Sequence, residues 1–220
     1  MSRYITAWHP VVARSRCPVA TRVRALSIAA LVACPMPISA QIAERPDAKV
    51  GDQWKFAVYY TVPTPVPSRT WLVTAVSSTG IAATEDGEPL SLTPELNVLE
   101  SPRNRDSNPR LLAFPMKVGD RWHYTTDWVF KPKSSNGRAV VDVVVAAYEK
   151  VTVPAGVFDA FRLTSTERLS GTSPIGSQYA GEIARTYWYA PAARAIVKTV
   201  TRQPYLGPST VELVEVTLQP

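Results

Sequence analysis

A period of two constrains this chain more than any other feature. In "WKFAVYYTV", Trp54, Phe56, Val58 and Tyr60 fall on one face; in "WHYTTDWVF", Trp122, Tyr124, Thr126, Trp128 and Phe130 do the same. Aromatic and β-branched residues at alternate positions suit a pleated surface buried on one side, whereas a helix would scatter them around its circumference. Thr70–Ser78, Ala139–Tyr148, Phe158–Leu169, Ile183–Ala190, Ala195–Arg202 and Ser209–Leu218 read the same way. A weak helical candidate, Leu92–Leu99, interrupts them. The pattern predicts an all-β chain, built as a curved antiparallel sheet or as an open barrel or sandwich.

Turn chemistry predicts antiparallel neighbours. Asn136-Gly137 in "SSNGR" has the composition of a tight hairpin turn, in which both central residues need positive φ. "VPAGV" reads as a three-residue hairpin loop with Pro154 at the first turn position and Gly156 closing a bulge, and "EDGE" as a similar turn. "SPRNRDSNPR" is polar, charged and proline-bearing, and is expected as an exposed loop dividing the chain into halves.

One phrase is written in each half: "KVGDQW" at Lys49–Trp54 and "KVGDRW" at Lys117–Trp122. In both, glycine suits a turn, aspartate can accept from nearby amides, and tryptophan enters the core at the first strand position. The following strand, loop and strand recur at nearly the same offset. Two similar halves, 49–101 and 115–220, or convergent use of one lead-in turn account equally for the repeat.

The formal charge of +6 suggests a nucleic-acid partner until its distribution is read. Arg3, Arg14, Arg16, Arg22 and Arg24 lie in residues 1–40, which hold no acid; the rest carries 19 basic against 18 acidic residues, about +1. No basic footprint for DNA or RNA remains there. After Arg24, the apolar run Ala25–Ala33 has the length of a signal-peptide core and is too short to span a bilayer. Two exits from it are open. "LVAC" fits a lipobox that would leave Cys34 lipidated, and "PMPISA" fits cleavage after Ala40; a later translation start would favour the second. A cytosolic protein with an apolar first helix is the remaining alternative. The expected organisation is a leader over 1–40 and one β domain over 41–220, in a periplasmic or secreted protein, membrane-bound only through a lipid on Cys34. Both cysteines, Cys17 and Cys34, lie in that leader, so the β domain has no disulfide to rely on.

Three blocks of the second half carry a family resemblance. "PMKVGDRW" (Pro115–Trp122), "VTVPAGVFDAFRL" (Val151–Leu163) and "WYAPAARAIVK" (Trp188–Lys198) resemble the "PLKVGDSW", "VTVPAGTFDAFRI" and "WYAPGVGLVK" of exported bacterial families designated only as domains of unknown function. The chain departs from that pattern at Ala192, Ala193 and Arg194, where glycines are usual, which bears on the turn there. The resemblance implies a strongly curved antiparallel sheet and no assigned activity. More distant kin of similar shape carry lipoproteins or lipids across the periplasm, an analogy of fold.

Catalytic and metal chemistry find little to work with. His123 alone follows residue 40, and it alternates opposite the apolar face, so neither a catalytic base nor a zinc site is expected, and no cofactor. No G-x-S-x-G elbow is present, and "GTSPIGS" joins strands instead of opening a phosphate-binding helix. Asp52, Asp120, Asp142, Asp159, Glu167, Glu182, Glu212 and Glu215 would have to converge in a cleft to act as a glycosidase pair, and their spacing gives no sign of it. The aromatics either fill a sheet core or leave a concave face for an apolar ligand, with Trp54, Phe56, Trp122 and Tyr124 as the face to watch. The expectation is a non-enzymatic envelope protein that binds an apolar or lipid-like molecule. An assembly partner using strand edges or proline-rich loops comes second, and a polysaccharide hydrolase third.

Overall fold

The computed structural model describes residues 41–60, 67–203 and 207–220. The expected leader, residues 1–40, with Cys34, lies outside the described residues. Fourteen strands follow in order: β1 (Ile42–Ala43), β2 (Gln53–Tyr60), β3 (Ser68–Val76), β4 (Ile81–Glu85), β5 (Glu88–Leu92), β6 (Val98–Glu100), β7 (Asn104–Asp106), β8 (Met116–Lys117), β9 (Arg121–Phe130), β10 (Ser135–Val153), β11 (Gly156–Thr172), β12 (Gln178–Ala190), β13 (Ala195–Arg202) and β14 (Ser209–Thr217). All but β1 and β8 form a closed barrel in the order β10-β11-β12-β13-β14-β2-β3-β4-β5-β6-β7-β9, every pairing antiparallel. The all-β reading stands, and the sheet goes further than an open one by pairing β9 with β10. β1 and β8 form a separate two-residue bridge.

The period-two pattern becomes inside and outside. Along β9, even-numbered residues are the more buried and odd-numbered ones face solvent, His123 among them. In the long β10–β11 hairpin, Val143, Val145, Phe161 and Leu163 meet Tyr189 of β12 and Met116 in a close-packed cluster. A second cluster joins Trp54, Phe56, Val73, Leu92, Val197 and Leu213.

Four local expectations are corrected. Leu92–Leu99 is no helix: β5 ends at Leu92, and the Thr93 hydroxyl accepts the amides of Glu95 and Asn97, turning the chain into β6. Asn136-Gly137 lies within β10. The turn before it is Lys131–Lys133, with Pro132 shaping a single 3-10 turn and Ser134 closing it at φ 46°. "VPAGV" is a two-residue loop, Pro154-Ala155, because Val153 pairs directly with Gly156. "SPRNRDSNPR" is not all loop, since Asn104–Asp106 form β7 and complete the barrel between β6 and β9.

The two copies of "KVGDxW" make the same hydrogen bonds. Lys49 and Lys117 amides donate to Asp52 and Asp120 carboxylates, both at 2.9 Å. Gly51 and Gly119, at φ 92° and 97°, donate to the carbonyls of Val73 and Val145 on the next strand. Val73 and Val145 donate back to the carbonyls of Asp52 and Asp120. One residue further on, each partner strand carries a bulge, between Val73 and Ala75 and between Val145 and Ala147. The turn therefore clips a strand start onto its neighbour where that neighbour bends.

Candidate functional site

Within the barrel the packing is incomplete. A cavity of about 900 Å³ remains, lined by inward residues of most strands. Its wall follows the register: Tyr124, Val141, Glu167 and Ile183 are successive partners across β9, β10, β11 and β12. A second row runs Trp128, Gly137, Gly171 and Tyr179. A side chain on Gly137 or Gly171 would meet the Trp128 ring at 2.7–2.8 Å. The two glycines therefore let the indole come close over two strands, and the Tyr179 ring lies tilted 45° to it at 6.2 Å between centroids.

Of the face read from sequence, Trp54, Phe56 and Tyr124 line this cavity. Trp54 is 1% exposed and donates its indole N–H to the Ala193 carbonyl at 2.8 Å, so it is core and wall at once. Trp122 is not part of the lining. Its indole N–H donates to the Arg110 carbonyl at 2.7 Å, and its ring packs against the Val143–Phe161 cluster. Trp71 and Trp128 also line the cavity, and their buried indole N–H groups have no protein partner.

One patch of the wall brings charges of both signs together. Glu167 and Arg185, diagonal neighbours on β11 and β12, form an ion pair with both side chains largely buried. Burial works against the Arg185 charge, but Tyr187 and Glu167 outweigh it and hold the guanidinium more firmly protonated than usual. Asp106 of β7 faces the same patch. Burial, then the Glu167 charge, pushes its carboxyl up to about 6, against the opposing pull of the Thr126 hydroxyl and Arg185. Burial also pushes the Tyr124 phenol far up, reinforced by Tyr187, Glu167 and Asp106.

Among the described residues no cluster of His, Cys, Asp and Glu could hold a metal. Glu167 is the one member of the eight-carboxylate set that lines the cavity. Asp52 is sealed in its turn, while Asp142, Asp159 and Glu212 pair with Arg168, Lys150 and Lys198. The second cavity carboxylate, Asp106, escaped sequence reasoning because three residues inside a polar stretch carry no readable period. Arg185 was legible in principle, since it alternates with Ile183, Tyr187 and Tyr189 on the inward face.

No protein-family model matches the chain, and no curated protein matches it in sequence. Solved structures do match in fold. A "putative lipoprotein" from Parabacteroides distasonis aligns at TM-score 0.53 and 14% identity, covering 80% of this chain and all of that one. A "putative exported protein with YmcC-like fold" from Bacteroides fragilis aligns at TM-score 0.49 and 16% identity over 80% of this chain and 99% of its own. The hypothetical lipoprotein YmcC from Escherichia coli aligns at 0.41 and 13%, over 77% and 84%. At such identities the first match speaks to fold alone.

Proposed function

We propose that this chain is an exported, non-enzymatic envelope protein whose barrel holds one amphiphilic molecule. The carrying observation is the cavity: about 900 Å³, walled largely by Trp, Phe, Leu, Ile and Val, with Asp106, Glu167 and Arg185 gathered in one charged patch and Arg69, Lys133 and Arg194 elsewhere in the lining. Its size lies at the upper end of small-molecule sites, and an apolar wall with a few convergent polar groups is the usual composition of such sites. An apolar tail would contact the aromatic wall, and a polar head would reach the patch. The unpartnered indole N–H groups of Trp71 and Trp128 lie in the same wall. Closure leaves the barrel strands without free edges, one of the two features, with the proline-rich loops, that the assembly reading invokes. Export rests on the leader pattern in residues 25–41 and agrees with the descriptions of the fold neighbours.

Tryptophan fluorescence provides the test. Dodecyl maltoside titrated below its micelle concentration is expected to saturate a spectral shift at one molecule per chain. A linear, non-saturating response would count against the reading.

A further inference from the structure

The charged patch specifies the head group that an occupant of the lumen would carry; this inference rests on the amphiphile reading above. Two carboxylates, Asp106 and Glu167, face one guanidinium, Arg185, which Glu167 and Tyr187 already engage. Asp106 forms no ion pair among the described residues; its hydrogen-bond partner is the Thr126 hydroxyl. The patch is therefore one positive charge short when Asp106 is ionised. The other cations of the lining do not supply it. Arg69 pairs with Glu85 and Arg194 with Asp52, and exposed Lys133 is not among the charges that act on Asp106.

A further observation points to a cation. Trp128 is the ladder partner of Asp106 and shares its inward face, and Tyr179 neighbours Trp128, so the wall next to β7 is aromatic. Aromatic faces near a carboxylate are the usual surroundings of a bound ammonium. An anionic head would have to enter beside two carboxylates, with the guanidinium already engaged by Glu167.

We propose that the lumen selects an amphiphile with a protonated amine head, bound at the Asp106 carboxylate beside Trp128 and Tyr179. The groups facing Asp106 are Tyr124, Thr126 and Trp128 of β9, Glu167 of β11 and Arg185 and Tyr187 of β12. Ionisation of Asp106 near pH 6 then sets the window in which the amine is preferred.

Dodecylammonium, dodecyl maltoside and dodecyl sulfate, all below their micelle concentrations, separate the outcomes. At pH 8 the amine is expected to bind about tenfold tighter than the maltoside, and the sulfate more weakly than either. The preference should collapse at pH 5. Asp106→Asn, nearly isosteric, should abolish it at pH 8, the amine then binding no tighter than the maltoside does to the same variant. Trp128→Leu should reduce it while the pH dependence persists. Equal binding of all three head groups, or tighter binding of the sulfate, overturns the head-group assignment and leaves the lumen reading standing. Binding of none overturns both.

Discussion

Asp52 and Asp120 hold the same place in two copies of one turn, yet their surroundings differ. Asp120 accepts the Lys117 amide at a partly exposed site. Asp52 is 0% exposed and accepts the amides of Lys49 and Gln219 and both contacts of the Arg194 guanidinium at 2.9 and 3.2 Å. Asp52→Ala is expected to cost about 3 kcal/mol by leaving a partly buried cation and two amides unmatched. Asp120→Ala should cost about 1 kcal/mol, one partly exposed hydrogen bond; urea denaturation compares them. Arg194 stands at φ 50°, where the resembling families use glycine. Arg194→Gly relieves backbone strain but strands the Asp52 carboxylate, so a net loss of about 2 kcal/mol is expected. A gain would show that the ion pair is dispensable. Asp106 gives a pH signature: with its folded-state value raised from 3.8 to about 6, the native chain holds a proton that the unfolded chain has released. This favours folding at low pH, and the benefit is lost as pH rises through that window. Asp106→Asn should therefore gain stability over wild type between pH 4 and 6 and keep that gain above it. A difference independent of pH would contradict the assignment.

At the scale of elements, alternation carried most of the fold. β13 coincides with the stretch Ala195–Arg202 picked out by pattern, β9, β10, β11 and β12 contain theirs, and β3 and β14 end two residues and one residue short of Ser78 and Leu218. Misread elements were those whose residues serve a distant partner. Asn136-Gly137 has hairpin composition, but its glycine is required because the Trp128 ring and the Ser170 carbonyl occupy the space of a side chain. Nothing within a few residues of Gly137 announces that contact. A Cβ there would stand 1.9 Å from the Ser170 carbonyl, so Gly137→Ala is expected to cost about 3 kcal/mol and to disturb Trp128. Thermal melting and the Trp128 near-ultraviolet dichroism report the two effects. Gly119, with open space where a Cβ would be placed, should lose only about 1 kcal/mol on replacement by alanine, from its positive φ. Similar losses at both positions would refute the close-approach account of Gly137.

For the whole molecule, closure and cavity both exceed what a local pattern can specify. Closure depends on β7, three residues whose pairing with β9 spans the polar stretch between the halves. The cavity depends on how far inward side chains reach across the barrel, and the same Trp, Phe and Leu residues would line a filled core or a hollow one. Sequence reading thus located Trp54, Phe56 and Tyr124 in the wall, but not the charged patch, which needs β7, β11 and β12 brought together. The central claim is that the lumen is a binding site, and filling it is the most direct test. Native mass spectrometry with dodecyl maltoside should show one amphiphile per wild-type chain. It should show reduced occupancy for Ile183→Trp, which narrows the lumen at the level of Glu167 while the far-ultraviolet dichroism stays unchanged. Undiminished binding to the folded, narrowed variant would place the amphiphile outside the barrel and contradict the account.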